Sequence, residues 1–324
     1  MEQVWKEWAH FWLGPLPAFQ SSLSPVVITR QGEIVKEKVP LITSVQLGFL
    51  HATWIGQQLA RTSLLKWYLA WSSAELGMKY DSPESAALIQ RFIEAYGVDM
   101  SDVQGSPQDY RTLNAFFSRQ LRPGARPIHE PGNASHAVQP TDARLMVFES
   151  VSEATTLWIK GEHFNLRSLC NNMWKAERLD GCSLVISRLA PQDYHRFHAP
   201  CDGSVRRVEH VSGTYYSVKP VAVKSPIDVY DCNKRSILEL DSHQFGPVLY
   251  IAIAAVQVGS IQLSVESCDS VKKGQELGSF LYGGSTVITL FRRGAIKYDA
   301  DLQHNSRERI ETLVRMGTSL GIAQ

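Results

Sequence analysis

Tyr282-Gly283-Gly284-Ser285-Thr286-Val287-Ile288-Thr289-Leu290-Phe291 opens on paired glycines and runs into a stretch rich in β-branched and aromatic side chains. Such side chains suit a pleated, buried surface, so Thr286 to Phe291 reads as a strand fed by a turn. Working outward, Val248 to Val256, Ser183-Leu184-Val185-Ile186, Thr156-Leu157-Trp158-Ile159 and Leu145-Met146-Val147-Phe148 read as further short strands. Turn residues separate them, and their spacing suits a sandwich or barrel better than alternating βαβ units.

The first third has a different texture. Ser82-Pro83-Glu84 looks like a helix start, Leu88, Phe92 and Tyr96 recur every four residues, and Gly97 supplies the stop. Ser106-Pro107 repeats the opening for a helix carrying Leu113, Phe116 and Phe117 on one face. Val39 to Ala60 is too interrupted by Gln46, His51, Gln57 and Gln58 to span a bilayer and reads as a buried or interfacial helix. A boundary falls at the polar, glycine-containing stretch 128–139. The expected layout is therefore α+β: a helical N-terminal region over 1–127, a β-rich catalytic domain over 128–324, and a closing helix from Ser306 to Met316 with Ile310, Leu313 and Val314 inward.

The 324 residues carry 33 Lys and Arg against 32 Asp and Glu, a formal net charge of +1, with 44% hydrophobic residues. That content excludes a disordered chain, and a near-zero charge offers no general field for nucleic acid. The five scattered cysteines include no C-x-x-C pair, which points to a reduced intracellular compartment rather than a disulfide scaffold or thiolate zinc site. The N-terminus lacks a secretory layout, and Val4 to Leu13 holds three tryptophans at near-helical spacing, suited either to a headgroup layer or to the chain's own core.

Phosphate loops, dinucleotide fingerprints and zinc helices are missing from the sequence, and Val287 stands where a hydrolase elbow needs its second glycine. Three segments bear on chemistry. Asp193-Tyr194-His195-Arg196-Phe197-His198 places two imidazoles around an arginine; they point to opposite faces if the chain is extended and share a cleft if it turns. Gly283-Gly284-Ser285 allows a bent, closely approached peptide bond, or simply a hairpin turn. Asp142 can fix the tautomer of an imidazole, as in a Ser-His-Asp arrangement, or serve as a turn residue paired with Arg144.

Together with Leu113-Asn114-Ala115-Phe116-Phe117-Ser118-Arg119, Arg122 to Pro127, Lys160-Gly161-Glu162-His163-Phe164, Gly213 to Val218, Val258-Gly259-Ser260-Ile261 and Gly274 to Gly278, these segments resemble the phosphatidylserine decarboxylase family in its fungal endomembrane form. The resemblance runs from about Gly77 to the C-terminus and is most specific in D-Y-H-R-x-H with the downstream G-S-T. Ala143 departs from it, since many relatives read Asp-Gly there. It implies a self-processing enzyme without a metal: Ser285 attacks the Gly284 carbonyl, His198 oriented by Asp142 takes the hydroxyl proton, and the new α chain begins with a pyruvoyl group derived from Ser285. That ketone would accept the electrons released with CO₂ as phosphatidylserine becomes phosphatidylethanolamine. His195 would position the carboxylate or deliver a proton, and Tyr215 and Tyr216 would line the lipid-facing wall. The same reading expects a peripheral membrane surface, both chains from one precursor, room for a homo-oligomer, and an endomembrane or cytoplasmic location. Alternatives are the same cofactor acting on a free amino acid such as tryptophan, a lipid-binding relative that never matures, and a serine hydrolase.

Overall fold

The computed structural model describes residues 26–37, 41–162, 164–255 and 260–324, and only the backbone of 41–46. The tryptophan-rich Val4–Leu13 stretch, His163, Val258 and Gly259 lie outside the described residues.

Residues of both regions build one open sheet of ten strands. In chain order these are β1 (Val26–Thr29), β2 (Ile34–Lys36), β4 (Ala143–Phe148), β5 (Ser183–Leu189), β7 (Gly203–Val211), β8 (Arg235–Ser242), β9 (Gly246–Ala254), β11 (Ser270–Val271), β13 (Ser285–Phe291) and β15 (Glu311–Val314). In space they run β11-β7-β8-β9-β13-β5-β4-β15-β1-β2. Two three-stranded sheets accompany it. One joins β10 (Ile261–Leu263), β12 (Glu276–Phe280) and β6 (Arg196–His198); the other joins β14 (Ile296–Tyr298), β16 (Ser319–Ala323) and β3 (His136–Val138).

The central strands are buried on both faces, so they read as continuous apolar runs rather than as strict alternation. On β13, Ile288 and Leu290 enter one core with Ile186, Ile251 and Ile253. Val287 and Phe291 enter the opposite core with Phe197, Leu277 and Phe280 of the small β6–β12 sheet. The layering is that of a sandwich.

Helices cluster in the front: Leu41–Ala52, Trp54–Arg61, Ser63–Asp81, Ile89–Tyr96 and Leu113–Phe117. Val39–Ala60 becomes two helices because Thr53 starts a new one, its Oγ1 accepting from the Gly56 N–H at 3.0 Å. Gly97 ends its helix in the left-handed region at φ 65°, as expected. The front is not wholly helical, however, since β1 and β2 join the edge of the large sheet.

Two sequence readings are corrected. Residues 156–159 are no strand: Ser150 caps a helix over Val151–Leu157 by accepting from the Glu153 N–H. The helix expected over 306–316 lies earlier, at Ala300–Arg307, and the chain closes in strands. Arg309 takes a left-handed φ of 60°, which stops the helix, and Glu311–Val314 then fills the slot between β4 and β1. Two open ladders waiting on either side outweigh a helical spacing of three apolar residues.

A buried charge network crosses this sheet. Arg188 of β5 donates to Glu311 (2.6 and 2.8 Å) and to Glu37 (3.0 and 3.1 Å). Arg144, opposite Arg188 in register on β4, reaches Glu37 at 3.4 Å and also Asp193. Removing one member of a buried ionic set leaves the rest uncompensated. Arg188→Ala is therefore expected to lower unfolding free energy by about 3–5 kcal/mol in urea titrations. A loss under ~1 kcal/mol would show that water already solvates this cluster.

Candidate active site

Ser285 is the first residue of β13 and is paired on both sides, with Leu189 of β5 and Ala254 of β9. Its side chain is fully buried, and its Oγ has no hydrogen-bond partner among the described residues. Strand alternation puts it on the face of Val287 and Phe291, toward the small β6–β12 sheet. The Gly284 carbonyl just before it accepts the Ala255 N–H at 2.9 Å. Gly283 adopts φ 137°, a conformation that side chains resist, so the chain can kink from the β12 connection into β13.

The helical front grips this kink. The Tyr282 N–H donates to Asn114 Oδ1 at 2.9 Å. The Tyr282 ring lies in the front's own core among Tyr80, Phe92 and Phe117, 4.4 Å from the first and 5.0 Å from the last. In the sequence Asn114 stands within a family-like segment and Phe117 on the apolar face of a helix. Nothing in their spacing discloses that they hold the Gly-Gly-Ser turn.

His195 stands just before β6, and its carbonyl accepts the Phe280 N–H. Its Nδ1 is 2.9 Å from the Asp193 carbonyl, which can only accept, so Nδ1 carries the proton and Nε2 keeps a bare lone pair. That Nε2 is buried without a partner, and the ring packs 3.8 Å from Phe117. Burial pushes this imidazole down to about 3. His198 lies at the other end of β6, opposite Glu276. Its Nδ1 donates to the Gly274 carbonyl (2.9 Å), leaving Nε2 to accept from the Tyr194 hydroxyl at 3.2 Å. Burial lowers its basicity too, while the Gly274 carbonyl and the Glu276 and Asp142 carboxylates act to raise it.

Asp142 sits differently from the expected triad member. Arg126 clasps it with contacts of 2.6–3.1 Å, and the Met316 N–H donates to it at 2.8 Å. Among the described residues no hydrogen bond joins it to His198, which takes its orientation from Gly274 and Tyr194 instead. Nor is Asp142 paired with Arg144, which turns to Glu37 and Asp193. Arg126 and Tyr194 both stand in segments that carry the family resemblance, yet their pairing with Asp142 and His198 is not disclosed by spacing.

Tyr216 is no part of a lipid-facing wall. It is buried in the main core, its hydroxyl donating to the Ala60 carbonyl at 2.6 Å and its N–H to Asn233. It fastens the helix Trp54–Arg61 to the sheet. Tyr215 is half-buried beside it. The same segment does reach the turn two residues on, since a Cβ on Gly284 would lie 4.0 Å from Val218.

Fold and site define an α+β chain whose buried, strand-locked serine follows a glycine kink, with two buried imidazoles of lowered basicity flanking the strand of the smaller sheet that it faces. The family model of phosphatidylserine decarboxylase matches residues 113–322. The chain is 41% identical over 293 residues to phosphatidylserine decarboxylase proenzyme 2 of Komagataella phaffii, covering 90% of this chain and 29% of that protein. It is 40% identical over 302 residues to proenzyme 3 of Schizosaccharomyces pombe, covering 93% and 31%. With the proenzyme of Fusobacterium nucleatum it shares 35% over 297 residues, covering 90% and 95%. The chain belongs to the phosphatidylserine decarboxylase family. It spans under a third of the length of the two fungal relatives and nearly all of the bacterial one.

The depressed basicity of His195 has a consequence for stability. Its folded value of about 3 lies below the ordinary 6.5, so the unfolded chain takes up a proton that the folded chain refuses. The stability it contributes is complete above pH 6.5 and declines as pH falls toward the folded value, by about 1.4 kcal/mol per unit. His195→Gln is expected to flatten the fall in unfolding free energy between about pH 6.5 and 5 by that slope. Parallel wild-type and variant curves would show that the ring is solvated.

Proposed function

We propose that this chain is a self-cleaving, pyruvoyl-dependent decarboxylase that converts phosphatidylserine to phosphatidylethanolamine. The observation that carries the reading is the Gly284–Ser285 bond itself: a buried, unpartnered hydroxyl beside a carbonyl already held by a backbone donor. Ser285 Oγ attacks the Gly284 carbonyl carbon, and His198 takes the hydroxyl proton. The Ala255 N–H stabilises the developing oxyanion, in the manner of a preorganised hydrogen-bond donor. The C–N bond breaks, the proton passes to the freed nitrogen, and an ester replaces the peptide bond. Loss of the Cα proton and of the Gly284 carboxylate leaves a dehydroalanine, which takes up water and releases ammonia.

These residues fit the group that results, because a chain beginning at position 285 starts at a fully buried residue, shielded from bulk water. A pyruvoyl ketone there supplies an electron sink for decarboxylation. His195 offers a neutral acceptor on the side of β6 that faces the core bordered by Ser285, suited to take a hydrogen bond from the substrate.

For the membrane, the support is a face of the front helices. Trp54, Trp67 and Trp71 are 73%, 62% and 45% exposed, with Ile55 and Leu64 beside them. The Trp67 and Trp71 rings stack at 6.2 Å. No helix among the described residues is long and apolar enough to cross a membrane. Aromatic rings exposed in this way suit the headgroup layer of endomembranes.

Wild-type protein is expected to split after Gly284 and to release CO₂ from phosphatidylserine in micelles but not from free tryptophan. Ser285→Ala stays a single band near 36.3 kDa without activity. Mass spectrometry of the 285–324 fragment should find a pyruvoyl cap; an ordinary amino terminus would refute the chemistry. An unsplit wild-type chain would favour the non-maturing relative, and turnover of tryptophan alone would overturn the substrate. Separately, Trp67→Ala/Trp71→Ala should weaken flotation with anionic vesicles roughly tenfold or more while self-cleavage stays intact. Unchanged flotation would remove this face from the lipid contact.

A further inference from the structure

Apart from the serine site, one group of side chains among the described residues has the make-up of a ligand set. His129 and Glu130 open a loop that closes with His136 at the start of β3, and their ligating atoms all lie within 4.8 Å of one another. Glu130 is 3.7 Å from His129 Nε2 through one oxygen and 3.4 Å from His136 Nε2 through the other. Two ligand atoms bound tetrahedrally to one zinc ion at its usual 2.0–2.1 Å stand about 3.4 Å apart. The three groups are therefore near chelating distance before any adjustment.

The loop is preshaped. Glu130 takes a left-handed φ of 42°, and the His129 N–H donates to the Gly317 carbonyl at 2.8 Å. Asn133 Nδ2 donates to Glu130 Oε2, and Lys273 Nζ donates to the Glu130 and Asn133 carbonyls, each at 2.8 Å. The nearby ammonium is thus engaged on the main chain of the loop. His136 Nδ1 is buried without a partner, free of any bond that would fix the ring against coordination through Nε2.

We propose that His129, Glu130 and His136 form a site for a zinc-type divalent ion, with a fourth position open to water. Two imidazoles and one carboxylate select such an ion over calcium or magnesium, which prefer oxygen alone. The site is a clip rather than part of the chemistry. Ile128, next to it, packs flush on Gly274, where a Cβ would fall 2.3 Å from its side chain. The Gly274 carbonyl in turn holds His198 Nδ1. Binding would close the 129–136 loop beneath the segment that orients this imidazole.

The test uses the full chain, stripped with a chelator and carrying Cys232→Ser and Cys268→Ser to remove the exposed thiols. Zinc chloride is titrated against a chromophoric competitor, and thermal unfolding is followed in parallel. The site predicts one equivalent bound, a rise in Tm with zinc, and affinity weakened roughly tenfold or more in both His129→Ala and Glu130→Gln. Both substitutions are at exposed or half-buried positions, and apo Tm values matching the parent confirm that each variant is folded. Binding that survives in both variants, no binding at all, or displacement of zinc by equimolar calcium would each overturn the assignment.

Discussion

Everything about this site depends on a register. Ser285 begins β13 opposite Leu189 on one side and Ala254 on the other, and six further rungs follow on each ladder. A hydroxyl at the start of a central strand cannot drift, because moving it one residue would turn every side chain of β13 to the wrong core. The same ladders explain how a break after Gly284 can leave the molecule whole. Residues 285–324 contribute β13, β14, β15 and β16 to all but one of the sheets, so a fragment released by the proposed break would stay woven between strands of the rest.

On the other side of the bond, the constraint comes from the helical front. Tyr282 is sunk among Tyr80, Phe92 and Phe117, and its N–H is taken by Asn114. Between this anchor and the β13 ladder only Gly283 and Gly284 remain to absorb the change of direction. Gly283 does so at φ 137°, where a side chain would be strained. Gly284 passes within contact of Ala255 and Val218. The front is thus a clamp on the reactive peptide, and its aromatic content serves that grip as well as its own packing.

Much of this was legible in the sequence where burial is two-sided. The runs at 145–148, 183–186, 248–256 and 286–291 are largely apolar on both faces and fall on β4, β5, β9 and β13, with β9 ending at Ala254. The strand Glu311–Val314 was not legible, because its apolar spacing also fits a helix and only the vacancy between β4 and β1 decides. Side-chain partners were the least legible. Asp142 looks like an imidazole's carboxylate, yet Arg126, sixteen residues earlier, outcompetes any histidine by offering a forked, permanently charged donor set. Tyr216 looked like a wall residue because an aromatic ring gives no hint in sequence of which way its hydroxyl is drawn. Its bond to the Ala60 carbonyl is a tertiary fact.

The two imidazoles pose the remaining question of which one serves as base, and two arguments point in opposite directions. Orientation favours His195, since alternation along the extended β6 sets it on the side of Phe197, within the core that Ser285's face borders, while His198 shares a side with Arg196. Basicity favours His198. A base works best when its proton affinity is matched to the ambient pH. With His195 pushed down to about 3, accepting a serine proton near neutrality would cost about 1.4 kcal/mol for each of the three to four units it falls short. His198 is also depressed by burial, but the Gly274 carbonyl and the Glu276 and Asp142 carboxylates act in the opposite direction. The Asp193 carbonyl acts to raise His195, while at His198 the Gly274 carbonyl is joined by two carboxylates, and on this ground we favour His198 as the base. The division of labour we propose follows from this: His198 would take the proton of Ser285, and His195, kept neutral by burial, would remain as an acceptor for the ligand. Asp142 would then contribute only through its charge, which acts to raise the basicity of His198.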